Sequence, residues 1–231
     1  MQEVVPVNST DRNSPDTRLL DALSAGTPST RLQAALAVGT QAHPGLVDAL
    51  MERCAIEPDF FVRDMLTWAL TRLPSEITVP RVRAELLSER AQARSQALHT
   101  LSKIGDRSAY PAITRSLLRD ADDEVARSAW RAAVVLVPDG EQDGLAAELA
   151  SQLGRGDRSV QLSLSRALVA LGDVIRPALQ AGMASSNPTV SAHARATELL
   201  LRDPDVGFDA AVDEAKRIVA LGPERVEGIE C

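Results

Sequence analysis

Residues 93–106 read ARSQALHTLSKIGD and residues 160–173 read VQLSLSRALVALGD. Laid over one another, both begin with a small or β-branched residue and then a polar one. Thr100 or Ala167 follows six positions after the polar slot, Leu101 or Leu168 one further on, and both close with Gly-Asp. Outward from these two stretches the same pattern begins at Thr30-Arg31, Val62-Arg63, Val125-Ala126 and Val190-Ser191. Successive polar slots are 32, 31, 32, 35 and 30 residues apart. Apolar residues at helical spacing, a period of this size and no alternating strand pattern predict helical units stacked in a row, each burying its apolar face against the next.

A second helix in each unit is announced by an X-Pro step followed by aliphatic residues: His43-Pro44, Val79-Pro80, Tyr110-Pro111 and Arg176-Pro177. Proline lacks the amide that would be an orphan in a first helical turn, so these prolines are expected to mark helix starts. Gly144-Leu145 and Gly207-Phe208 stand in their place in the fourth and sixth units.

On these residues, Val62-Arg63 through Leu70, Ala93-Arg94 through Asp106 and Val160-Gln161 through Asp173, each with its X-Pro helix, the chain resembles the HEAT-repeat superfamily, in particular the short HEAT-like repeats of the phycobilisome-lyase type. The resemblance covers roughly residues 27–222. It implies an all-α, right-handed α-α superhelical solenoid of about six helix pairs, a single domain over residues 15–222. Most members are protein-binding scaffolds; lyases, DNA-repair glycosylases and an iron-dependent hydroxylase are minorities. The His-Glu ligand pairs of that hydroxylase branch do not occur here.

The termini are expected to be different in kind. Residues 1–14, rich in Asn, Ser, Asp, Thr and Pro, read as a disordered segment, and residues 223–231 as a polar tail. A short helix from Pro15, with Ser14 as its N-cap, and a last helix from Phe208 to Leu221 with Asp209, Asp213, Glu214 and Lys216 on a solvated face, read as the two caps of the array. Inside it, Pro58-Asp59, Asp122-Asp123-Glu124 and Asp157-Arg158-Ser159 read as helix openings, since carboxylates there offset the helix dipole.

Composition narrows the function classes. With 45% hydrophobic but only 3% aromatic residues, Leu, Ala and Val must do the packing. No stretch of about 18 apolar residues exists and the first residues lack a basic or apolar region, which predicts a cytoplasmic protein without a membrane span. Cys54 and Cys231 cannot form a disulfide framework, and Cys54 reads as a small buried residue. The net charge is −7 with only residues 58–136 mildly basic, twelve basic against ten acidic side chains, which disfavours a general nucleic-acid binder. Phosphate-binding glycine loops, a GxSxG elbow, CxxC and HExxH are absent, and His43, His99 and His193 have no partner at metal-ligand spacing; no catalytic residue, metal or cofactor is expected.

The functional candidates come from the repeat register. Positions two and six after the Val of each unit lie one turn apart on the same stripe of the first helix. In HEAT-type repeats that helix lines the concave side. Down the array these positions are Leu32 and Leu36, Asp64 and Trp68, Ser95 and His99, Arg127 and Arg131, Leu162 and Arg166, and Ala192 and Ala196. Asp64, Trp68, Ser95, His99, Arg127, Arg131 and Arg166 thus form a chemically rich centre, expected to hold a partner peptide or helix bearing carboxylates, because guanidinium groups bind carboxylates bidentately. Trp68 reads alternatively as packed between inner helices, Trp130, one position off the stripe, as a contact to the core or a neighbouring helix, and the slot residues Arg31, Arg63 and Arg94 as an internal ladder of ion pairs. The alternative is a DNA-acting protein similar to the repair glycosylases, with Asp64 and Trp68 one turn apart; a chromophore-lyase-like subunit is weaker still.

Overall fold

The computed structural model describes residues 15–203 and 205–221. The segment 1–14, Ser14, Cys231 and the tail 223–231 lie outside the described residues. Among the described residues there are thirteen α-helices and no strand. The six slot-bearing helices are α2 (Pro28–Gln41), α4 (Phe60–Thr71), α6 (Ala91–Ile104), α8 (Asp123–Leu136), α10 (Arg158–Ala170) and α12 (Pro188–Arg202). Between and around them run α1 (Pro15–Leu23), α3 (Val47–Ile56), α5 (Ser75–Glu85), α7 (Arg115–Leu118), α9 (Gln142–Ala150), α11 (Arg176–Met183) and α13 (Phe208–Leu221).

Helices pack in chain order. Each slot helix touches the next, α2 on α4, α4 on α6, α6 on α8, α8 on α10 and α10 on α12, and α1, α3 and α5 and then α7, α9 and α11 touch their neighbours alongside. One core runs between them from Leu23 to Ala194, including the fully buried Leu66, Leu101, Leu136, Leu168 and Trp130. Cys54 sits in it, and burial, with the Glu57 charge, pushes its thiol up to about 12, so it is an unreactive core residue.

The starts of the slot helices follow one rule. The residue four before the slot caps the helix: Asp59, Asp122, Asp157 and Asn187 each accept two amide hydrogens of the first turn and Thr27 accepts one. Only α6 lacks a side-chain cap, because Arg90 occupies that position. The prolines obey their rule less well. Pro44 opens a short 3-10 turn and Pro177 lies in the first turn of α11, but Pro80 is inside α5, and Pro111 is inside the 3-10 segment Arg107–Ala112. Helix α5 tolerates Pro80 because the carbonyl left without a donor, that of Glu76, belongs to an exposed residue in the first turn, where solvent can reach it.

The slot arginines form a ladder of backbone clamps. Arg31, Arg63 and Arg94 each donate through Nη1 to the carbonyls six and five residues earlier, which fastens the preceding loop to the helix. Two of them also make the expected carboxylate pair: Arg31 grips Glu57 with both Nε and Nη2 at 2.7 Å, and Arg94 grips Asp120 at 3.0 and 3.1 Å. Arg63 does not, because the equivalent position ahead of the next slot is Ser88; its guanidinium lies 6.0 Å from the Phe60 ring centroid instead. In the fourth unit the slot is Ala126, and Arg155 from the following loop donates to the orphaned Asp120 carbonyl while pairing with Asp123 and covering Trp130.

Candidate functional site

The stripe positions of α4, α6 and α8 come together on one face. Asp64, Ser95, His99 and Arg131 line one cavity of about 180 Å³, with Phe60, Arg63, Gln96, Glu124 and Ser128 completing it. Its floor is hydrogen-bonded: Ser95 Oγ meets Ser128 Oγ at 3.0 Å and reaches the Glu124 carbonyl at 3.3 Å, and Arg131 Nη2 donates to Ser128 Oγ at 3.2 Å. Arg131 is exposed and makes no ion pair among the described residues, so its charge is open to a ligand. Burial, then the Arg131 and Lys103 charges, push the His99 imidazole below its ordinary value, partly offset by Asp64, so the ring is neutral at pH 7.

Trp68 stands at the edge of this face and is 37% exposed. It lines a neighbouring cavity of about 290 Å³ with Asp64, Thr67, Thr71 and Lys103. Its indole lies against α2 at Gly39, where a Cβ would come within 2.4 Å of Cζ3. Trp68 is therefore a packed side chain with one open edge.

The other two arginines are placed differently. Arg127 is half-buried, pairing with Glu124 at 2.6 Å and donating from Nε to Ser163 Oγ at 2.9 Å. Arg166 lies in a separate trough of about 810 Å³ along α10. Farther on, the stripe is closed: α13 packs over Ala192 and Ala196, with Phe208, Ala211, Val212 and Ala215 forming a second, smaller apolar cluster. Asp209, Asp213 and Lys216 are exposed on the outer face of α13, as expected, and from there the two aspartates also bind Arg158 of α10 at 2.9 and 2.7 Å, while Glu214 pairs with Arg217.

Sequence reading missed Phe60, Phe61 and Lys103. Phe60 and Phe61 are 64% and 71% exposed in the first turn of α4, edge to face with each other. They precede the stripe, in the turn fixed by the Asp59 cap, so a rule about stripe positions cannot select them. Two adjacent phenylalanines directly after a capping Asp, ahead of the first core residue Val62, were the available clue.

No protein-family model matches this chain, and no curated protein matches it. Among solved structures it is similar to an engineered protein at 21% identity and a TM-score of 0.45, covering 86% of this chain and 96% of that one. It is also similar to the complex of CpcE and CpcF of phycocyanin lyase from a Nostoc species, at 18% identity and a TM-score of 0.46, covering 95% of this chain and 99% of that one.

Proposed function

We propose that the chain is a non-catalytic interaction scaffold of the cytoplasm, a right-handed solenoid of about six HEAT-like helix pairs whose slot helices line a concave groove for a carboxylate-bearing segment of a partner protein. The observation that carries this reading is the exposed Arg131, without an ion pair among the described residues, in one cavity with a neutral His99 and the exposed ring of Phe60. A partner carboxylate supplies the charge that Arg131 lacks, and its apolar neighbours cover Phe60 and the open edge of Trp68. Arginine and aromatic residues of this kind dominate binding energy at interfaces. Asp64 on the opposite wall orients the segment by repelling its carboxylates toward α8.

The test uses two exposed positions whose change leaves the core alone. Phe60→Ala combined with Arg131→Glu should abolish capture of a protein that crosslinks to α4, α6 or α8 of the unmodified chain, with helicity and melting temperature unchanged. Trp68→Ala is the poorer variant, since it also removes packing on Gly39. Capture that survives the double change overturns the site. Salt-sensitive binding to duplex DNA, lost on changing Arg127 and Arg131, would put the glycosylase-like reading in its place.

A further inference from the structure

The trough along α10 is larger than either cavity of the central face and of a different chemistry. At about 810 Å³ it lies in the range of small-molecule sites. One wall is a single stripe of α10, Arg158, Leu162, Arg166, Val169 and Ala170, which at about 1.5 Å rise per residue extends for about 18 Å. The opposite wall is Leu200 at the end of α12, Val206 and Phe208. It exists because α13, entering at Phe208, turns onto Ala192 and Ala196 of α12, and meets α10 through Leu162 at the edge of that cluster and through the Arg158 ion pairs. The aliphatic side chains Leu162, Val169, Leu200 and Val206 are left partly open to solvent.

The charges in this trough are unequal. Arg158 and Arg166 are its two cations and Asp209 its one anion. Asp209 and Asp213 both neutralise Arg158, whereas Arg166 is exposed and has no ion-pair or hydrogen-bond partner among the described residues. An elongated apolar wall with one uncompensated guanidinium complements a molecule with one carboxylate and a long apolar body. We propose that the trough is a binding site for a free long-chain monocarboxylate, the anion of a fatty acid, whose head group pairs with Arg166 and whose chain lies along Leu162, Val169, Leu200 and Val206. This site lies farther along the slot-helix stripe than the central cavity, shares no lining residue with it, and does not rest on the partner reading.

Calorimetric titration of the full chain with dodecanoate, below its micellar range, tests the site. The expected result is one-to-one binding at micromolar concentration, with the cationic dodecyltrimethylammonium, which has the same chain, failing to bind. Arg166→Ala removes the charge at an exposed position and should weaken dodecanoate about tenfold or more, the scale of one charge-assisted hydrogen bond. Ala170→Glu, one turn from Arg166 and also exposed, supplies a competing carboxylate within the chain and should weaken it similarly. Absence of dodecanoate binding, equal binding of the cationic amphiphile, or binding indifferent to both substitutions overturns the proposal. Self-association in sedimentation that Ala170→Glu abolishes would assign the trough to a second copy of the chain and overturn it as well.

Discussion

His193 is held between α10 and α12 as a neutral ring. The Gly154 amide donates to Nδ1 at 3.0 Å, so Nε2 carries the hydrogen, shared between the Gln161 carbonyl and Ser165 Oγ, each at 3.0 Å. Ser165 Oγ meets Thr197 Oγ1 at 2.8 Å, and Thr197 donates back to the His193 carbonyl. The same triad occurs between α4 and α6, where Gln96 donates to Thr67 Oγ1 at 2.6 Å and Thr100 donates to the Gln96 carbonyl. His193 thus occupies in the last unit the place that Gln96 holds in the third. Protonating it would set two donors, Nδ1 and the Gly154 amide, against each other. Burial, relieved somewhat by the Gln161 carbonyl, pushes its pKa down to about 4. The folded value lies below the unfolded one near 6.5, so the unfolded chain binds the extra proton between these limits. Stability is therefore complete above pH 6.5 and declines as pH falls toward 4, by about 3 kcal/mol in all. His193→Gln restores the repeat residue, at a cost of about 1 kcal/mol for the Gly154 amide left unpaired. Urea midpoints measured from pH 7.5 to 5 should fall for the unmodified chain and stay nearly level for the variant. Glu57 acts lower. Burial alone would raise it, but Arg31, the Asp59 amide and Arg53 hold it at about 2, so its contribution is lost only as pH falls from its unfolded value near 4.5 toward 2.

At the scale of the helix, the register shows where the sequence falls short of its own rule. Five of the six slot helices carry a capping Thr, Asp or Asn four residues before the slot, and α6 carries Arg90, exposed and without a capping bond. Its backbone already has extended cap geometry, φ −81° and ψ 118°. Arg90→Asp should therefore stabilise the chain by about 1 kcal/mol, read as a raised thermal midpoint, because it supplies an acceptor to the first-turn amides and a charge suited to the helix dipole. The slot helices were legible in the sequence because caps, small residues and aliphatics recur at fixed offsets. The partner helices were less so: Pro80 promised a start and lies inside α5, because helix boundaries depend on which carbonyls water reaches. Among the candidate site residues, Asp64, Ser95, His99 and Arg131 share one cavity because they share one register. Arg127 lies apart because Glu124, one turn earlier on its own helix, pairs with it, a local contact that a stripe count overlooks.

For the whole molecule, neighbouring helices carry the stability, so damage in the middle unit should be felt throughout. Leu101, 1% exposed in α6, lies in the main core, and Leu101→Ala should cost about 2 to 5 kcal/mol in chemical denaturation. A cost below about 0.5 kcal/mol would mean that α6 is not part of the cooperative core. The solvated face of α13 was legible from its acidic residues, but their pairing with Arg158, fifty or more residues earlier in the chain, was not, because no local spacing signals it. The glycine beneath Trp68 has a spectroscopic consequence. Trp130 is sealed, its indole N–H donating to the Leu118 carbonyl and Arg155 above its ring, while Trp68, lying on Gly39, keeps one edge in water beside the central face. The chain's two tryptophans therefore occupy unlike surroundings, one sealed from quenchers and the other open to them, so a segment seated on the central face as proposed would announce itself in the emission of Trp68 alone.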